Sequence, residues 1–184
     1  MTAIANAKIL ILASNGFEQS ELMVPEARLL EAGATVHIAT PDGEAIKGWD
    51  EDDWGETVKA DLALADVDRS AYDALVLPGG QINPDLLRVN ADAVALIKAF
   101  AQDGKPVAAI CHAPWLLIEA GLVAGREVTS YPSIRTDLKN AGANVVDQEV
   151  AVAGNIITSR NPDDLPAFVD AIIRAVESAT RAAA

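Results

Sequence analysis

Apolar residues in this chain fall in short unbroken runs separated by longer amphipathic stretches. After Lys8 the run Ile9-Leu10-Ile11-Leu12-Ala13 is apolar throughout, the pattern of a central parallel strand covered on both faces. Ala74-Leu75-Val76-Leu77 and Val107-Ala108-Ala109-Ile110 have the same character. Residues 35–40 predict a further strand, with Val36 and Ile38 on one face and His37 on the other. Helical spacing predicts helices over residues 20–32, ended by Gly33, over 91–102, after Pro114, over 134–141, ended by Gly142, and from Asn161-Pro162 to about residue 178. Pro25 is awkward in the first of these, because it lacks the N–H of an intrahelical bond and should kink the helix unless it lies near the start.

Polar and glycine-rich stretches mark the connections. Pro41-Asp42-Gly43 and residues 121–125 predict turns, 127–130 a short strand, and 145–146 and 150–153 extended chain. Gly154-Asn155 is a hairpin signal before a strand at 156–159. From 45 to 64 the pattern changes. Gly48 and Gly55 frame Trp49-Asp50-Glu51-Asp52-Asp53-Trp54, and Val58, Ala60 and Leu62 then alternate with polar residues, which predicts a short antiparallel excursion at a sheet edge. Strands alternating with helices predict an α/β fold, a doubly wound, mostly parallel sheet with helices on both faces. No linker or repeat divides residues 1–184, so one domain is expected, with residues 182–184 as a frayed tail.

Composition narrows the function. A net charge of −13 argues against nucleic-acid and anionic-membrane partners, both of which need a basic surface. A single cysteine allows no internal disulfide, and with no leader-like segment in residues 1–7 and no run of membrane-spanning length a cytoplasmic protein is expected. The acidic run at 50–53 is expected to be a solvated loop rather than a cation site, and no metal or cofactor is expected. Its tryptophans, Trp49 and Trp54, favour a subunit contact or a pocket wall.

Candidate chemistry gathers where strands end. Cys111-His112 falls between the Val107–Ile110 strand and the Pro114 helix, flanked by the small residues Ala109 and Ala113. That is the setting of a nucleophile pushed out on a sharp strand-to-helix turn, where a helix N-terminus favours thiolate. Cysteine is also a common small core residue. Gly79-Gly80 follows the Ala74–Leu77 strand, and either aims N–H groups at a ligand oxygen or forms a tight turn. With residues 16–21 these segments should gather at one sheet edge, where ligands bind in such folds. The only histidines are His37 and His112, and His37 is assigned a structural place, so His112 is the base by elimination. A Cys-His dipeptide brings imidazole to sulfur only if the turn is sharply bent. Glu18 and Glu21 lie opposite, and Glu21 is equally an ordinary first-turn residue of a helix.

Five blocks, in order along the chain, resemble the PfpI/ThiJ family of the glutamine-amidotransferase-like superfamily, which includes the Parkinson-associated deglycase. They are Gly16-Phe17-Glu18-Gln19-Ser20-Glu21-Leu22, residues 74–80, residues 104–114, Thr129-Ser130-Tyr131-Pro132 and Thr158-Ser159-Arg160. The resemblance implies a flavodoxin-like sheet, Cys111 as nucleophile, His112 as its partner, Glu21 hydrogen-bonded to the sulfur with Glu18 nearby, and an oxyanion hole from the N–H groups of Gly80 and His112. It implies a homodimer or higher homo-oligomer, and in the peptidase-like branch a third acidic residue from a neighbouring subunit, matched here by Asp85. That branch has Glu in a loop one residue shorter, which weakens a peptidase reading. The 49–54 loop is longer than the family's usual segment. No histidine follows His112, which argues against glutamine amide transfer. The expected function is a stress-associated cysteine-dependent hydrolase or lyase acting on small electrophilic carbonyls or glycated protein, of deglycase or glyoxalase type. The alternatives are an intracellular cysteine peptidase and a non-enzymatic redox sensor or chaperone.

Overall fold

The computed structural model describes residues 3–182. Its strands, in chain order, are β1 (Lys8–Leu12), β2 (Phe17–Glu18), β3 (Thr35–Thr40), β4 (Ile46–Asp50), β5 (Asp53–Val58), β6 (Leu62–Ala63), β7 (Ala74–Leu77), β8 (Val107–Ile110), β9 (Glu127–Val128), β10 (Asn144–Val145), β11 (Val150–Ala153) and β12 (Ile156–Ser159). The helices are α1 (Gln19–Glu31), α2 (Ile82–Arg88), α3 (Ala91–Gln102), α4 (Pro114–Glu119), α5 (Arg135–Asn140) and α6 (Leu165–Ala182). Seven strands form the central sheet in the order β11-β12-β8-β7-β1-β3-β6. All neighbours pair parallel except β11 and β12, the hairpin at one edge. A mostly parallel, doubly wound α/β sheet is therefore present as expected.

The unbroken apolar strands follow from burial on both faces. Along β1, Ile9 and Ile11 enter a core layer shared with Leu22 and Leu29 of α1 and Phe168 and Ile172 of α6. Leu10 and Leu12 enter the opposite layer with Leu87, Ile97, Phe100 and Leu116. Period-two alternation delivers each side chain to one layer, and with helices on both sides neither face of the strand has room for polar residues. Each fully buried Leu or Ile contributes roughly 1.5–3 kcal/mol.

Several expectations change. The excursion after β3 is not at the edge of the central sheet: β4 and β5 pair antiparallel, and β4 pairs parallel with β2, in a separate three-stranded sheet above the site. The alternation ending at Leu62 is instead the parallel edge strand β6. Short β9 and β10 pair with each other outside the main sheet. Helix α2 was not anticipated at all, and α1 runs through Pro25, which is buried inside it. α6 continues to Ala182, and of the predicted tail residues 183–184 lie outside the described residues. Among the described residues no helix is long and apolar enough to cross a membrane.

Candidate active site

β8 ends at Ile110, and the chain turns on Cys111, which holds φ at +64°, the left-handed region that a side chain seldom adopts. Hydrogen bonds hold it there: its N–H donates to the Ser159 carbonyl at 3.1 Å, and its carbonyl accepts the Tyr131 N–H at 2.9 Å. Ala109 and Ala113 on either side are fully buried, as the close approach of strand and helix requires. The bend brings the Cys111 Sγ to 3.1 Å from Nδ1 of His112. The other ring nitrogen, Nε2, lies 2.9 Å from Oγ of Ser133. Tyr131 stacks on the imidazole at 4.7 Å between centroids, and Trp115 meets it edge-on at 5.4 Å.

Glu21 reaches the sulfur from the first turn of α1. Glu18 caps that helix, its Oε2 accepting the Glu21 N–H at 2.8 Å and the Ser20 hydroxyl at 2.7 Å. Glu21 itself is completely buried, and its Oε2 accepts the Gly79 N–H at 2.9 Å. Its side chain interacts with Cys111, and Oε1 has no hydrogen-bond partner. The backbone N–H groups of Gly80 and His112 lie beside the sulfur and favour its charged form. Gly80 holds φ at +79°, and a Cβ on it would sit 2.5 Å from the Gly16 carbonyl oxygen. At Gly79 a Cβ would strike Glu21 Oε2 at 2.6 Å and the Cys111 Cβ at 2.7 Å. The diglycine is therefore both a turn and a set of aimed donors, because only bare backbone fits there.

The helix N-terminus favours thiolate, but burial and the adjacent Glu21 carboxyl push the Cys111 thiol up, well above its ordinary range. Burial, assisted by the charge of Glu18, raises Glu21 to about 8, and burial lowers His112. Burial thus favours the uncharged form of each of these three groups, and Cys111 and Glu21 titrate as a coupled pair.

Cys111 is 5% exposed, at the floor of a cleft of about 400 Å³. Glu18, Trp49, Glu51, Gln81, Ile82 and Tyr131 form its walls, and no lysine or arginine is among its lining residues. Trp49 thus meets the pocket-wall expectation, with Trp54 packed edge-on against it at 5.5 Å. His37 lies elsewhere on β3 and bonds Tyr72.

Of the anticipated residues, Cys111, His112, Glu21, Gly79 and Gly80 converge, and Glu18 supports them. Asp85 does not join them within one chain: it sits exposed in the first turn of α2. Two residues escaped notice. Ser133 arrives from a turn 21 positions downstream of His112, with no local signal. Asn83 is fully buried, its Oδ1 accepting the Ser14 N–H at 2.7 Å and its Nδ2 donating to the carbonyls of Pro78 and Gly79 at 2.8 and 3.2 Å. A lone asparagine beside a Pro-Gly-Gly turn was the available clue.

Comparison with known proteins gives concordant results. The DJ-1/PfpI family profile matches residues 7–175. A deglycase of Thermococcus kodakarensis is 47% identical over 167 residues, covering 91% of this chain and 98% of that protein. Protein/nucleic acid deglycase 2 of Escherichia coli is 43% identical over 164 residues, 88% of this chain and 92% of that one. Among solved structures, Drosophila melanogaster DJ-1beta superposes with a TM-score of 0.85 at 31% identity, covering 94% of this chain and 91% of that chain. A family profile that spans residues 7–175 and a relative 47% identical over 91% of the chain make the chain a member of the DJ-1/PfpI family.

Proposed function

We propose that the chain is a cysteine-dependent hydrolase or lyase of small electrophilic carbonyls, such as a 2-oxoaldehyde or its adduct on a protein amine or thiol. One observation carries the reading: Sγ of Cys111 stands at the floor of an open cleft in contact with two proton carriers, Glu21 and His112, and two N–H donors. In this reading the sulfur attacks the carbonyl carbon as the thiol proton passes to Nδ1 of His112. The carbonyl oxygen becomes an oxyanion facing the N–H groups of Gly80 and His112, and Glu21, protonated at neutral pH, supplies its proton. For a free 2-oxoaldehyde, water is the net co-reactant and the 2-hydroxy acid is the product.

Burial and Glu21 raise the thiol, so a base beside it that takes the proton during attack suits a reactive carbonyl better than an amide. The deglycase names of the relatives agree with this choice. A cleft lined by Glu18 and Glu51 without a basic residue also favours neutral or cationic over anionic substrates.

The test is turnover of methylglyoxal and of a glycated peptide by wild type and by Cys111→Ser. Loss of turnover in the variant supports the reading; turnover that survives the substitution overturns it. Cleavage of an unmodified peptide would replace it with peptide hydrolysis. No turnover, with a Cys111 adduct of roughly 32 Da under mild peroxide, would replace it with redox sensing.

A further inference from the structure

The two backbone hydrogen bonds that hold Cys111 in its left-handed turn come from segments far apart in the chain. The Ser159 carbonyl, at the end of β12, accepts the Cys111 N–H, and the Tyr131 N–H, ahead of α5, donates to the Cys111 carbonyl. Arg135 stands four residues past Tyr131, and Arg160 follows Ser159 directly. A single carboxylate joins these two arginines. Asp147, in the connection between β10 and β11, accepts from Nη1 and Nη2 of Arg135 at 3.1 and 2.8 Å and from Nη1 of Arg160 at 2.9 Å.

We propose that Asp147 is a positioning residue for the nucleophile: it fastens together the two segments whose backbone holds Cys111 at positive φ. The inference rests on the cysteine chemistry proposed above for its effect on turnover, while its effect on the turn itself is independent of that reading.

Each arm of the link is anchored. Arg160 donates from Nε and Nη2 to the two oxygens of Asp164, at 2.8 and 2.9 Å, and the buried Asp164 also accepts the Arg160 N–H at 3.2 Å. That two-point pairing fixes the guanidinium plane and leaves Nη1 for Asp147. Ser159 Oγ donates to the Glu149 carbonyl at 2.6 Å, so the loop that carries Asp147 grips the strand end at both Ser159 and Arg160. On the other arm, Arg135 is the first residue of α5, directly after the Pro132–Ile134 turn that Tyr131 leads into.

Exposed ion pairs contribute little to stability one at a time, because solvent screens them and ordering long side chains costs entropy. Here one carboxylate serves two arginines, and hydrogen bonds from both hold its carboxyl below the usual range, so it stays ionised at neutral pH. Its effect is on alignment. A side-chain-bearing residue keeps positive φ only while its surroundings over-determine it, and a shift of either Ser159 or Tyr131 would let Cys111 relax and swing Sγ away from His112. The Asp147 side chain is 60% exposed, so replacing it removes little packing.

The experiment measures amide hydrogen exchange at Cys111 and Tyr131, which reads the turn without needing turnover, and separately kcat and KM with methylglyoxal. In Asp147→Ala these two amides are expected to exchange about tenfold faster or more, while the β1 amides of Leu10 and Ile11 keep their wild-type rates. In the same variant kcat is expected to fall about fivefold with KM little changed. Arg135→Gln cuts the same link, so the Asp147→Ala/Arg135→Gln double variant is expected to lose no more than either single variant. Wild-type exchange at Cys111 and Tyr131 in Asp147→Ala overturns the proposal, and so does exchange that quickens there with kcat unchanged. Exchange that quickens equally in β1 overturns it as well, because Asp147 would then be a general stabiliser, as do losses that add in the double variant. If wild type turns over no carbonyl, the reaction proposed above fails while the exchange rates still decide the role of Asp147 at the turn.

Discussion

Cys111 and His112 are neighbours in sequence, yet their side chains touch at 3.1 Å because Cys111 holds φ at +64°. Adjacent side chains ordinarily diverge, so this contact is made by backbone strain rather than by spacing, and the surrounding hydrogen bonds to Ser159 and Tyr131 maintain it.

That strain is measurable. A left-handed conformation costs a side-chain-bearing residue roughly 1 kcal/mol that glycine does not incur. Cys111→Gly is therefore expected to be at least as stable as Cys111→Ala in urea denaturation, the reverse of the usual order at a buried site. A glycine variant less stable than the alanine variant by more than about 1 kcal/mol would show the turn to be unstrained.

Glu21 links the site to pH. Its carboxyl titrates near 8 in the fold against 4.5 in the free chain, so between those values the native state holds a proton the unfolded chain has released. The native state is unpenalised below about pH 4.5 and loses stability as pH rises toward 8. Glu21→Gln removes the titration. Its stability relative to wild type is expected to improve by about 2 kcal/mol or more between pH 5 and pH 8, while turnover falls. Denaturation midpoints of both proteins across that range provide the check, and a constant difference between them contradicts the assignment.

Gly79→Ala tests how closely the donors are packed. The added Cβ would meet Glu21 Oε2, the Cys111 Cβ and the Ile110 carbonyl, all within 2.7 Å. The expected cost is about 1–3 kcal/mol, with at least a tenfold loss of kcat, since the overlap displaces both the acid and the nucleophile. Thermal unfolding and steady-state kinetics measure the two effects.

Asn83 is expected to matter through the loop it ties down. Asn83→Ala strands the Ser14 N–H and two loop carbonyls, a loss of about 2–3 kcal/mol. Asn83→Asp keeps the acceptor for Ser14 but offers no donor to Pro78 and Gly79, and is expected to lower kcat while leaving KM nearly unchanged. Equal changes in both parameters would assign Asn83 to substrate binding instead.

The sheet was legible because its information is local. Ile9 to Leu12 and Val107 to Ile110 are apolar at every position, and only a strand buried on both faces tolerates that. Helix α2 was illegible for the opposite reason: it buries Asn83 and leaves Ile82 and Leu86 exposed, so its pattern points the wrong way. The β4–β5 hairpin was foreseen, but its partner was not, since β2 is two residues long and pairing across a loop leaves no period to detect.

By itself the sequence determined the doubly wound sheet, the cysteine at a strand-to-helix turn and the glycines beside it, because apolar runs and small residues act within a few positions of one another. Only the tertiary structure decided that Glu21 is buried and holds its proton near neutral pH, that the thiol is pushed up rather than down, and that Ser133 rather than Asp85 meets His112 within the chain. Protonation depends on burial and on neighbours brought from distant segments, and those exist only once the chain has closed around them.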